Sequence, residues 1–208
     1  MRDNGRLGPI EWATAGRPLP GEYVSGDQPI AIDIGANAAL FGVMDGLGHG
    51  PDAATAATRA VDAVKQARTE RLEVLVQLCH RVLGGTRGVA MTLARVDFAD
   101  STLSWTGVGN VSANLVAKDV TGIHIRSSAR LAAGIVGYRI PEIKPAQVTS
   151  LRAGDLIVIA TDGITEDHLD HIDFAGSATV IANEILSKYA KESDDAMVLA
   201  ARHRGAST

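Results

Sequence analysis

Four acidic sites stand at the ends of apolar runs, where folding would turn them toward an edge. Asp45 closes the run 38–44 and is followed at once by Gly46-Leu47-Gly48-His49-Gly50. Asp162 closes 156–161 and is followed by Gly163; Asp27 follows Ser25-Gly26 and opens another run; Asp194-Asp195 precedes 196–200. A carboxylate on a strand end, beside glycines that bare the backbone, suits a hard cation that takes oxygen from side chains and carbonyls. No cysteine or histidine cluster accompanies these acids, so Mg2+ or Mn2+ fits them better than Zn2+. If folded sheets gather the acids, the crowded negative charge calls for a cation to neutralise it. Two such ions sharing one carboxylate would hold and acidify a water for attack on phosphorus. Each acid alone has a plainer reading as a turn residue or helix cap, and Asp162-Gly163 by itself is an ordinary hairpin turn. A nucleotide-binding glycine loop is the rival reading of 45–50. The alternating Gly46, Gly48 and Gly50 do not match it. The dinucleotide pattern needs glycine where Pro51 stands, and no Lys-Ser/Thr follows as in a P-loop.

The elements that must position these acids can be read from periodicity and punctuation. Residues 10–15 alternate as a first strand, and 16–21 are a Gly/Pro-rich turn. Residues 29–34 and 38–44 read as a hairpin. A helix of small residues covers 52–68; Leu72, Leu75, Val76, Cys79, Val82 and Leu83 fall at helical spacing, and Gly84-Gly85 stops that second helix. Strand-like runs follow at 89–97, 102–108, 111–117 and 121–126, broken by short turns, which predicts a β-meander. Two more strands fall at 147–150 and 156–160, then an amphipathic helix at 177–188 and a closing strand at 196–201. This order predicts an α+β layered domain with helices covering sheets, and its long antiparallel runs argue against a doubly wound parallel sheet.

Bulk properties place the chain among ordinary globular proteins. Its 208 residues, 46% hydrophobic and 21% charged, fit a single domain spanning 1–208 with a real core. A net charge of −4, scattered basic residues and 4% aromatics argue against a nucleic-acid partner. Cys79 is the only cysteine, so no intrachain disulfide can form; its apolar helical position predicts a core thiol, and the expected compartment is reducing. No stretch approaches the roughly 18 apolar residues of a membrane span, and the N-terminus has no apolar leader core. The expectation is therefore a cytoplasmic protein with no membrane partner.

The order of motifs along the chain resembles the metal-dependent protein phosphatases of type 2C, and within them the bacterial SpoIIE-like branch. The residues that carry the likeness are Ser25-Gly26-Asp27, Asp45-Gly46-Leu47-Gly48-His49-Gly50 followed by Ala53-Ala54, Arg87-Gly88-Val89-Ala90-Met91-Thr92, Gly107-Val108-Gly109-Asn110, Ala160-Thr161-Asp162-Gly163 and Ser193-Asp194-Asp195-Ala196. They span roughly positions 9 to 202. The resemblance implies an αββα sandwich, two stacked and mainly antiparallel sheets flanked by helices. It implies two Mn2+ or Mg2+ ions, with Asp45 bridging them and the Gly46 carbonyl completing one shell. Asp162 and Asp195 would hold the other ion, and Asp27 would touch a metal directly or through water. Asp45, Asp162 and Asp195 would thus act through a metal-activated water, while Gly48 and Gly50 keep the loop clear of the phosphate. As a lone catalytic domain without a sensor or STAS appendage, the chain is similar to the stressosome feedback phosphatases of that branch. The implied partner is a phosphorylated STAS-domain protein, and the expected state is a monomer.

Departures from the family pattern carry their own expectations. Residues 21–25 lack the arginine that many eukaryotic type 2C enzymes place before the first acid, and Arg17 is the nearest. Phosphate affinity would then rest on the metals and on the protein substrate. Asn110 stands where many relatives have Asp, against a third metal, and the short segment 127–139 replaces a longer flap. His49 is either a general acid for the leaving oxygen or a loop histidine that shapes its turn. His168 and His171, three apart among acids, read as a solvated loop or helix start rather than a transition-metal site. Trp105 reads as core, and Arg126 and Arg130 as solvated side chains or contacts to a phosphoprotein. The leading function is a phosphoserine/phosphothreonine protein phosphatase. Its rivals are an inert pseudophosphatase that binds phosphoproteins and a hydrolase of small phosphoesters. The acid cluster argues for catalysis, since a mere binding module has no physical reason to keep charges that repel.

Overall fold

The computed structural model of the chain describes residues 1–205 apart from Ala36, Thr121 and His171. Two hairpins open it: β1 (Arg2–Leu7) with β2 (Ile10–Arg17), and β3 (Asp27–Gly35) with β4 (Ala38–Gly46). Helices α1 (Gly50–Gln66) and α2 (Leu72–Val82) follow, then β5 (Val89–Asp97), β6 (Thr102–Val108), β7 (Ser112–Asp119) and β8 (Gly122–Ser128). The short β9 (Leu131–Ala132), β10 (Gln147–Ser150) and β11 (Leu156–Ala160) lead to α3 (Ala178–Tyr189) and β12 (Ala196–His203). One sheet runs β1-β2-β12-β11-β7-β8 and the other β10-β6-β5-β4-β3, with β9 parallel to β6 and every other pairing antiparallel.

Alternation along the strands explains why the sheets stack. In β4, Ala39, Phe41 and Val43 point between the sheets, while Leu40 and Met44 point to the α1–α2 layer. In β12, Met197, Leu199 and Ala201 join the inter-sheet core, while Ala196, Val198 and Ala200 meet α3. Both faces are covered, so these strands read as unbroken apolar runs rather than as half-polar ones. Ala53, Ala56, Ala57 and Ala60 of α1 are fully buried, and their small size lets the helix lie close on its sheet. Cys79 is a core thiol of α2 whose pKa burial pushes up to about 12, and Trp105 sits in the inter-sheet core. The expected α+β sandwich with helices outside is the fold observed.

The expected meander is corrected. β5 and β6 pair with β4 in one sheet, whereas β7 and β8 belong to the other. The chain crosses at Gly109-Asn110, where Gly109 takes φ +95° and Val111 drops into the inter-sheet core. A two-residue turn has the same composition whether its strands pair or part company. β1 was not foreseen either: it is an edge strand whose mostly exposed, polar residues have no apolar alternation.

Candidate active site

Antiparallel neighbours place the end of one strand beside the start of the next, and this geometry gathers the acids. Asp27 opens β3 directly across from Asp45 at the end of β4. β11 and β12 are likewise antiparallel neighbours in the other sheet, so Asp162 after β11 lies beside the residues before β12. Asp45, Asp162 and Asp194 line one cleft of about 270 Å³, together with Gly48, Asn110, Gly134 and Ile135. Segment 127–139 therefore reaches the cleft through Gly134 and Ile135.

The electrostatics follow from this crowding. Burial, then the charge of Asp162, raises the Asp45 pKa to about 7. Burial, then the charge of Asp45, holds the Asp27 carboxyl well above the usual range. Asp194 is raised as well, by burial and by Asp162. Hydrogen bonds fix the arrangement. The Thr161 hydroxyl donates to Asp27 Oδ2 (3.0 Å) and accepts from the Met197 N–H (3.0 Å), tying the two sheets together at the site. Asn110 Nδ2 donates to Asp162 Oδ2 (2.7 Å), where a carboxylate in its place would repel. Lys191 Nζ donates to the Asp162 carbonyl (2.6 Å).

Asp195 stands apart from the other acids. It is buried, and both its oxygens are engaged by backbone: Leu19 N–H donates to Oδ1 (2.7 Å) and Gly26 N–H to Oδ2 (2.7 Å). Gly26 in turn accepts from the Gly46 N–H (3.1 Å), so Asp195 anchors the loop behind Gly46. Asp194 occupies the cleft wall in its stead. The sequence names both acids, but strand alternation puts Asp195 in phase with Met197 and Leu199 and carries it too deep. Close approach also explains two glycines. A methyl at Gly46 would strike the Ala53 backbone, and one at Gly163 would fall on the Asp195 carbonyl oxygen. Gly163 is thus a packing requirement here rather than a hairpin turn.

Other singled-out residues fall outside the cleft. His49 precedes α1 at the rim, and its Nδ1 lies 2.9 Å from Glu22 Oε1. Arg17 is turned away, donating to the Pro18 carbonyl (3.1 Å) and to the carbonyl oxygens of Lys191 and Asp194. Arg126 pairs with the buried Asp155 at 2.8 Å, which makes it structural. His168 corrects the solvated-loop reading: it is buried, with Nδ1 2.7 Å from the Thr165 carbonyl oxygen, and Leu169 beside it joins the α3 layer. His171 lies outside the described residues.

The donor set fits an oxygen-seeking divalent ion. Asp45, Asp162 and Asp194 face one cleft, and burial together with the charge of Asp162 raises the pKa values of Asp45 and Asp194, the mark of crowded negative charge. No three acidic, imidazole or thiol groups among the described residues converge tightly enough to enclose a bare ion. The cleft therefore suits partly hydrated Mg2+ or Mn2+ rather than a closed protein cage.

Two stacked antiparallel sheets with helices outside, and acids gathered at one edge of the sandwich, define a type 2C phosphatase fold. Residues 35–205 match the family model for stage II sporulation protein E (SpoIIE), and the chain belongs to that family. A chain solved in work on the bacterial stressosome, as a modular system adapted to control secondary messenger signalling, is 31% identical and superposes with a TM-score of 0.82. That match covers 93% of this chain and 99% of the other. RsbX solved in complex with magnesium is 19% identical, with a TM-score of 0.80 over 97% of this chain and 98% of that one. The phosphoserine phosphatase RsbX of Bacillus subtilis (strain 168) is 22% identical over 157 residues, 75% of this chain and 76% of the relative.

Proposed function

We propose that this chain is a metal-dependent phosphoserine/phosphothreonine protein phosphatase, one domain whose substrate is a phosphorylated STAS-domain protein of a stressosome or anti-sigma pathway. The observation that carries the chemistry is the convergence of Asp45, Asp162 and Asp194 from two sheets onto one cleft. Family membership and the phosphoserine phosphatase named RsbX support the reaction, and the relative from stressosome work supports the pathway. An inert binding module is disfavoured, because the acids are kept together at an electrostatic cost that bound cations would relieve.

Two divalent ions, Mn2+ or Mg2+, would be held by Asp45 as the shared carboxylate, with the Gly46 carbonyl, Asp162 and Asp194 as further oxygen donors and Asp27 held behind Asp45. Asp194 takes the ligand role that the sequence resemblance gave to Asp195, and Asp195 becomes the anchor of the 19–26 loop. Divalent ions held here would supply Lewis acidity toward a water and toward the phosphoryl oxygens. The protein's part is to orient the ligands. Asn110 fixes the rotamer of Asp162, Thr161 fixes Asp27, and bare Gly48 leaves the wall open for a phosphoserine side chain. His49, turned to Glu22 at the rim, shapes the loop, and solvent water protonates the leaving serine oxygen.

The test is phosphate release from a phosphorylated STAS-domain protein in Mn2+, in Mg2+ and in excess chelator. Release that needs the ion and stops in chelator is expected. Full turnover by protein shown metal-free by elemental analysis would overturn the metal reading.

A further inference from the structure

One loop's thickness from the acid cleft lies a groove of about 440 Å³ with charge of the opposite sign. The first half of α1 and the 85–87 segment form its walls, with Asp52, Thr55, Arg59, Thr86 and Arg87 among its lining. Arg87 joins groove to cleft. Its Nη1 donates to the His49 carbonyl (3.5 Å) and lies 3.0 Å from where a side chain on Gly48 would begin, and Gly48 lines the acid cleft. With φ +84° and no side chain, Gly48 keeps that wall one backbone thick.

The two guanidinium groups are free to take a ligand. Arg87 pairs with Asp52 at 3.1 Å, but the two side chains are 47% and 74% exposed. A pair so open to water is weak and exchanges readily for a competing oxyanion. Arg59 makes no hydrogen bond or ion pair within the described residues. The hydroxyls of Thr55 and Thr86 are spent on the carbonyls of Pro51 (2.8 Å) and Leu83 (2.7 Å), so recognition falls to the arginines. Planar guanidinium forks match carboxylate and phosphoryl oxygens two at a time.

We propose that this groove is a second substrate subsite, taking an oxyanionic side chain of the phosphoprotein that lies next to the phosphoserine in the cleft. The oxyanion is a carboxylate or a second phosphoryl group; both present the same oxygens to Arg59 and Arg87. The proposal rests on the phosphatase reading above. Holding the flank fixes the register of the phosphoserine over the acids, and a neutral flank forgoes that contact.

The test compares three sets of phosphoserine peptides, carrying glutamates, a second phosphoserine or glutamines within five residues on either side. Phosphate release in Mn2+ is expected to give a kcat/KM about fivefold or more higher for an anionic flank than for glutamine, expressed in KM, as two exposed charge pairs predict. A preference for glutamate alone or for the second phosphoserine alone identifies the source of the oxyanion, and either supports the subsite. The double variant Arg59→Ala/Arg87→Ala is expected to bring the three sets together. Equal rates for all three in the wild-type protein would overturn the proposal. So would a double variant that loses activity on all sets alike and keeps the ratio, since Arg87 would then act on the reacting phosphate. Binding of the same labelled peptides to the Asp45→Asn variant, read by anisotropy, decides the subsite even if nothing is turned over. Absence of turnover with metal verified present would count against the phosphatase reading alone.

Discussion

Asp194 and Asp195 are neighbours with opposite duties, and single substitutions should separate them. Asp195→Ala removes a buried acceptor of two backbone N–H bonds and is expected to cost about 3 kcal/mol of stability, read by urea denaturation. Asp194→Asn removes no hydrogen bond that the buried loop depends on. It is expected to keep the urea midpoint and lose ten- to a hundredfold in metal affinity, the scale on which a lost carboxylate ligand or its support is felt. The reverse pattern would return the ligand role to Asp195. Asp45→Asn is expected to abolish phosphate release while the thermal midpoint in chelator holds or rises, because one charge leaves a repelling group. Wild-type phosphate release by this variant would rule out a bridging role for Asp45.

At the scale of elements, the strand ends are held by groups that the chemistry never touches. Arg126 of β8 pairs with Asp155, which is 4% exposed and also accepts from the Arg152 N–H (2.7 Å) ahead of β11. Arg126→Ala leaves that carboxylate buried without its cation, and a loss of about 3 kcal/mol is expected, with small-phosphoester turnover at 20 °C kept. Loss of turnover without loss of stability would make Arg126 a substrate contact after all. His168 supplies a pH dependence in the α3 layer. Burial lowers its pKa, so the folded protein holds it neutral. The unfolded chain then binds more protons once the pH falls below about 6.5, and the stability that His168 contributes is present above that pH and lost below it. The stability difference between wild type and His168→Gln should therefore shrink from pH 7.5 to pH 5. A difference constant with pH would show that His168 does not titrate on unfolding.

At the scale of the molecule, the cleft opens at one edge of the sandwich, beside the apolar core the two sheets share. A phosphoprotein must therefore meet the whole rim: the 47–50 loop, the 127–139 segment and the groove beside α1. Remote contacts accelerate only substrates that bear them. An intact phosphorylated STAS-domain protein is expected to exceed a peptide cut from its phosphosite by about tenfold or more in kcat/KM. Equal values would mean that the cleft alone suffices. Among the described residues no helix is long and apolar enough to cross a membrane.

Much of this was legible in the chain itself. Apolar runs with turn signals between them set thirteen of the fifteen elements to within a few residues, all but β1 and β9, since burial on both faces writes a continuous pattern. The acids at strand ends and the glycines behind Asp45 were readable for the same reason: local order places a carboxylate at a strand end, and close backbone approach demands glycine. Tertiary structure alone decided what depends on partners distant in sequence. It sent β7 away from β6 at Gly109-Asn110, because pairing is chosen by which sheet edge is free and not by the turn. It added β1 to β2 as an exposed edge strand with no apolar signature. It turned Asp195 onto Leu19 and Gly26 and left Asp194 to the cleft, a choice set by backbone N–H groups some 170 residues away in the chain. It also carried Arg87 to the back of the Gly48 loop, where no spacing in the sequence could place a cation.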